Sequence, residues 1–177
     1  PGETVLVTGA GGGLGVHSAL LATALGARVL AVTASPEKVA RIEDIGIEEV
    51  ILADDLPMSE LVLALTEDRG VDIVLDSVGS AVFEQAIRSI SQDGKIVLMG
   101  EVTGSKASVS PAEIMFRDAT VTGSTGASGG HITDAAAMVA AGKLLPVVSE
   151  RFPLEDAAEA YRLMQERKIF GRVLLVP

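Results

Sequence analysis

The chain has 177 residues, enough for one domain with a real core, and 48% of them are hydrophobic although only 3% are aromatic. A net charge of −10 argues against binding nucleic acid or an anionic membrane surface. The absence of cysteine excludes disulfides and thiolate metal sites and fits a reducing, cytoplasmic compartment.

The first apolar run, Thr4–Thr8, reads as a strand. Thr8-Gly9-Ala10-Gly11-Gly12-Gly13-Leu14-Gly15 follows it and opens into an uncharged stretch through Leu25. A strand, a tight glycine turn and a buried helix make a phosphate cradle. Amides at a helix start point toward an anion, and only glycine lets a diphosphate approach that closely. The segment points to a nucleotide cofactor, a nicotinamide dinucleotide above all. The uncharged window between Glu3 and Arg28 is no membrane span, because glycines interrupt it. No signal peptide is visible. The chain begins at Pro1, directly before the first strand, and is expected to come from a longer protein.

Further strands are expected at Arg28–Thr33, Glu49–Leu52, Asp72–Asp76 and Lys95–Met99, with a sixth at Ala119–Gly123. They are rich in Val, Ile and Leu and alternate little, as strands buried on both faces do. The first helix runs from about Gly13 to Leu25 and stops at Gly26. The second opens on Ser35-Pro36-Glu37, with Ser as N-cap and Pro at the first helical position. Met58–Glu67 and Ala81–Ile90 supply two more, and Asp93-Gly94 reads as a turn into the fifth strand. Repeated strand–helix units predict a doubly wound parallel α/β sheet, the Rossmann fold, in order 3-2-1-4-5-6. Beyond the Gly/Ser-rich stretch 123–130, a helix (Ile132–Ala141), a short strand (Leu145–Val148), a helix (Leu154–Arg167) and a last strand (Arg172–Val176) are expected. The predicted division is residues 1–129 as the dinucleotide-binding domain and 130–177 as a C-terminal segment.

The glycines fit two grammars. Thr8-Gly9-x-x-x-Gly13-x-Gly15 suits short-chain dehydrogenases, which need a tyrosine and a lysine four residues apart for proton transfer. The single tyrosine here, Tyr161, has Gln165 at that distance, so this reading lacks its catalytic acid. The other grammar, Gly2-Glu3-Thr4-Val5-Leu6-Val7-Thr8-Gly9-Ala10 with Gly12-Gly13-Leu14-Gly15, resembles the cofactor domain of medium-chain dehydrogenase/reductases, in the quinone oxidoreductase and enoyl reductase branch. Similar too are Gly26-Ala27-Arg28-Val29, Val71–Gly79 and Gly94–Gly100. So is the tail, Phe152–Ala160 followed by Phe170-Gly171-Arg172-Val173.

The resemblance implies hydride transfer between nicotinamide and a quinone, enone or enoyl thioester. It also implies an N-terminal catalytic domain outside this chain, onto which residues 130–177 pack. Any zinc would be held mainly by that domain. No catalytic or metal-ligating residue is assigned within the chain. A homodimer through the sixth strand is implied, since Ala119–Gly123 would otherwise leave an open edge. The rival readings are the cofactor domain of a zinc-dependent alcohol dehydrogenase and a non-catalytic NAD(P)-sensing module.

The expected cofactor contacts are Gly11, Gly12, Gly13, Leu14 and Gly15 for the diphosphate. An acid at the end of the second strand would select NAD. Thr33 stands there instead, with Ser35 and Lys38 placed to meet a 2′-phosphate, so NADPH is expected, with NADH possible. In the quinone oxidoreductase pattern a tyrosine often follows the third strand. Here Ala53, Asp54 and Asp55 stand there, which weakens the case for NADPH. Val78, Gly79, Gly100, Glu101 and Val102 are expected to line the nicotinamide side, beyond the carboxyl ends of the strands. Asp76 is read as a structural acid, His17 as non-catalytic, Tyr161 as packing rather than reacting, and His131 as a surface residue ahead of a helix.

Overall fold

The computed structural model describes residues 1–54 and 56–177. Six strands form one parallel sheet: β1 (Thr4–Thr8), β2 (Arg28–Thr33), β3 (Glu49–Leu52), β4 (Val71–Asp76), β5 (Ile90–Leu98) and β6 (Thr120–Gly123). Their spatial order is β3-β2-β1-β4-β5-β6, as the sequence predicts. β1 lies between β2 and β4, with Val5 beside both Val29 and Ile73.

Side chains alternate across a strand, so β1 feeds two cores. Val5 and Val7 pack with Val16, Ala19, Ala31 and Ile42, under helices α1 (Gly13–Ala24) and α2 (Pro36–Asp44). Leu6 faces the other way, with Val62, Val74, Ile87 and Ile96, under α3 (Met58–Leu65) and α4 (Phe83–Ser89). Burial on both faces explains the near-continuous apolar strands. α1 ends where expected. Gly26 takes φ +82°, and its N–H and that of Ala27 bond back to the Thr23 and Ala22 carbonyls.

Several expectations need correction. β5 begins at Ile90, not Lys95, because the ladder with β4 jumps from Val71–Ile90 to Ile73–Lys95. The Asp93-Gly94 turn is therefore a bulge inside the strand, with Asp93 at φ +58° and its N–H on the Arg117 carbonyl. A short helix, α5 (Pro111–Met115), appears where none was expected. The seventh strand is β7 (Val148–Pro153), later than Leu145–Val148, because it pairs with β8 (Arg172–Val176) in a separate two-stranded parallel sheet. The helix expected at Leu154–Arg167 is a 3-10 turn (Leu154–Asp156) followed by α7 (Ala157–Gln165).

α6 (Gly129–Ala140) starts earlier than expected and buries none of its residues. His131 lies inside it, where its side chain and Ser128 form a reciprocal capping box. Tyr161 on α7 is 63% exposed and does not pack.

Candidate functional site

The strand-to-helix bend after β1 is built from close approaches. Gly9 sits at φ +64°, and a Cβ there would come within 2.7 Å of Ser77 Oγ. Its carbonyl accepts the Gly12 N–H at 2.9 Å and closes the turn, while the Ala10 N–H bonds the Val32 carbonyl at 2.9 Å. Any Cβ on Gly15 would overlap the Gly9 backbone, so only glycine lets α1 pack this tightly on the turn. Gly12 is the N-cap of α1. It brings no side chain to cap the helix, and the first turn holds no acid. The opening amides of a helix have no intrahelical partner, and here the sequence supplies no carboxylate for them. The bend fits an anion brought from outside.

The carboxyl ends of β1 and β4 are joined beside it. Asp76 is fully buried, and its Oδ1 accepts from the Thr8 hydroxyl at 2.6 Å, Val78 N–H at 2.9 Å and Gly79 N–H at 3.0 Å. Among the described residues its Oδ2 has no hydrogen-bond partner. This is a brace for the loop after β4, as expected of a structural acid. Val102 N–H bonds the Val78 carbonyl at 3.0 Å, and a Cβ on Gly79 would meet the Gly100 carbonyl oxygen at 2.8 Å. Val78, Gly79, Gly100, Glu101 and Val102 therefore do gather at one place. The Glu101 carboxylate accepts from Ser80, Thr103 and Gly104, and these bonds, the Ser80 amide first, lower its pKa from 4.5 to about 2.

At the end of β2, Thr33 is buried and its hydroxyl accepts the Ser35 N–H at 3.2 Å. Ser35 holds the N-cap position of α2, but its hydroxyl makes no capping bond, contrary to expectation. Lys38 lies one turn on. Its ammonium donates to the Ile169 carbonyl at 2.5 Å and more loosely to the Gly11 carbonyl at 3.5 Å. Burial, then Arg41 and Arg167, push its pKa below the usual lysine value.

Sequence reasoning missed how the tail returns to this bend. Phe170 is buried in the core beneath α1 and α2, with the Arg41 guanidinium 4.6 Å from its ring centre. Gly171 N–H bonds the Gly11 carbonyl at 3.3 Å, and Gly12 and Gly171 form a parallel bridge. The exposed Arg172 side chain lies across Gly13, with Nε 2.7 Å from where a Cβ would stand. His17 joins the same cluster, its Nδ1 2.6 Å from the Gly13 carbonyl and its Nε2 3.0 Å from the Val147 N–H. The Phe170-Gly171-Arg172 run was visible in the sequence, but nothing local ties it to glycines about 160 residues earlier.

Among the described residues no cluster of three His, Cys, Asp or Glu could hold a metal, and no helix is long and apolar enough to cross a membrane. Asp55 lies outside the described residues. A cleft of about 940 Å³ opens between Arg151–Glu155 and Val176–Pro177, away from the glycine bend. We place the site at the bend because the bare amides and the close-packed glycines are there.

The sequence model of a family described as zinc-binding dehydrogenases matches residues 13–141. The chain belongs to that family. It is 33% identical over 175 residues to the acryloyl-coenzyme A reductase of Metallosphaera sedula, covering 98% of this chain and 51% of that protein. It is 31% identical over 185 residues to quinone oxidoreductase-like protein 2 of Bos taurus, covering 99% and 53%. Among solved structures, an NAD-dependent alcohol dehydrogenase superposes with TM-score 0.93 at 36% identity, over 100% of this chain and 52% of that one. A mycobacterial protein complexed with NADPH superposes with TM-score 0.86 at 26% identity, over 99% and 58%. The chain spans about half the length of the curated relatives it matches. The medium-chain dehydrogenase/reductase cofactor-domain fold read from the sequence is thus the fold of this chain.

Proposed function

We propose that the chain is the nucleotide-binding part of an NADPH-dependent oxidoreductase that reduces a quinone, enone or enoyl thioester. The observation that carries this is the glycine bend, with its uncapped helix start and tight packing. Gly11, Gly12, Gly13, Leu14 and Gly15 hold the diphosphate, and Arg172 adds a cation at the same mouth. Bound NADPH supplies a hydride from its nicotinamide ring. The chain's own residues bind and orient. Asp76 braces the loop after β4, and Glu101 ties that loop to residues 103–104, so that Val78, Gly79, Gly100 and Val102 shape the nicotinamide side.

NADPH is favoured over NADH because Thr33 replaces an acid and the Ser35 hydroxyl is left uncommitted by its helix. Lys38 is the nearest cation on α2, and it reaches a 2′-phosphate by giving up the Ile169 carbonyl. A charged hydrogen bond to that phosphate is worth roughly 1.5–3 kcal/mol, about tenfold to a hundredfold in affinity. A cytoplasmic setting fits these ligands and the lack of cysteine.

The described residues offer no acid/base pair at the bend. We place the substrate contacts, and any zinc, on a further domain against the exposed faces of α6, α7 and β8, and a second copy along the free edge of β6. The chain alone then binds cofactor with little or no turnover. Titrating NADPH and NADH against the chain tests the reading. Tighter NADPH binding is expected; tighter NADH binding overturns the preference, and binding of neither overturns the site.

A further inference from the structure

We propose that His17 is a positioning residue for the cofactor's diphosphate, acting through the Gly13–Leu14 peptide unit; this rests on the cofactor site proposed above. The Gly13 carbonyl can only accept, so His17 Nδ1 carries the proton. The Val147 N–H can only donate, so Nε2 is bare. The two bonds together select the neutral Nδ1–H tautomer. A peptide unit is planar and trans, so its carbonyl and the next N–H point opposite ways. Holding the Gly13 oxygen therefore fixes the Leu14 N–H, one of the free amides at the mouth of α1.

The second bond links that amide to the tail. Val147 donates to the imidazole, and its own carbonyl accepts the Arg172 N–H at 2.9 Å. Arg172 then lays its side chain over Gly13. A closed circuit results: His17, Gly13, Arg172, Val147 and back to His17. It brings the Arg172 side chain against Gly13, the residue whose peptide unit carries the Leu14 N–H. Packing is tight along it, since a Cβ on Gly171 would fall 2.6 Å from the Val147 oxygen. Residues 130 apart in sequence meet through one ring.

The test uses ligands that separate the two halves of the site. NADPH and ADP-ribose carry a diphosphate; adenosine 2′-monophosphate carries only the half that meets Thr33 and Ser35. Their dissociation constants are measured for the wild-type chain and for His17→Ala, His17→Asn and His17→Gln. Expected for His17→Ala is a loss on the order of tenfold for NADPH and ADP-ribose, the weight of about one hydrogen bond, with adenosine 2′-monophosphate unchanged. Asparagine, whose amide takes the place of Nδ1–H, recovers most of that loss, and glutamine does not. Equal losses for all three ligands, or none for any, overturn the role of His17 while leaving the cofactor site standing. No binding of NADPH or ADP-ribose by the wild type overturns both. If His17→Ala does not fold, long-range 1H–15N spectra of the wild type still decide. A proton on Nδ1 is expected, and one on Nε2 contradicts the circuit.

Discussion

The Asp76 carboxylate accepts the Thr8 hydroxyl at 2.6 Å, fully buried, and ties the carboxyl end of β4 to that of β1 beside the glycine bend. The same oxygen holds the Val78 and Gly79 amides. Asp76→Ala strands three donors, each costing about 1–3 kcal/mol when left unpaired in the interior. A loss of at least about 2 kcal/mol is expected from urea unfolding midpoints. Asp76→Asn keeps Oδ1 and changes only the partnerless Oδ2, so it should cost less than alanine. An asparagine variant as unstable as alanine would mean that the charge, and not Oδ1, holds the brace.

Gly15→Ala places a methyl group inside the Gly9 backbone. Overpacking at a site that cannot yield costs roughly 1–3 kcal/mol, and the shift falls on the turn that presents the amides. Unfolding and NADPH titration of this variant should show both stability and affinity falling. Gly46→Ala is the control for an added methyl away from the site. It meets nothing within 4 Å, although its φ of +90° carries a backbone cost, so it should lose stability without a specific loss of affinity.

Glu101 gives a pH signature. Its folded pKa, about 2, lies below its ordinary 4.5. A depressed carboxylate stabilises the fold fully above its unfolded pKa, and the contribution fades as pH falls toward the folded value. The bonds to Ser80, Thr103 and Gly104 should therefore persist at neutral pH and loosen between about pH 4.5 and pH 2. Amide exchange at those residues reads this. Glu101→Ala, which has no acceptor, should show fast exchange there at every pH; unchanged protection in that variant would remove Glu101 from the loop's support.

Lys38→Ala separates two roles. Loss of a phosphate contact predicts NADPH binding weakened about tenfold or more and NADH binding much less. The bonds to Ile169 and Gly11 predict some loss for both cofactors. Equal losses would assign Lys38 wholly to the tail contact and take it out of the phosphate site.

How far the sequence carries follows from where each signal lives. β1 to β4 and the glycine bend are local: apolar runs, a glycine cluster and a helix stop at Gly26 each reveal themselves within a few residues. β7 runs past the expected Leu145–Val148 through Ser149-Glu150-Arg151, polar residues with no local strand signal. Pairing with β8 makes it a strand, and that pairing is tertiary. The same holds for Lys38. A lysine after Ser-Pro-Glu looks like a phosphate ligand, yet its ammonium rests on a carbonyl 131 residues away. His17 and Arg172 carry no local mark of their role, since one is an ordinary helix residue and the other an ordinary strand residue until the chain folds back.

The most direct measurement of the central claim follows backbone amide shifts as NADPH is added to the chain. If the bend holds the diphosphate, the Gly13, Leu14 and Gly15 resonances move first and saturate with the cofactor. Saturating NADPH that leaves those three amides where they began would contradict it.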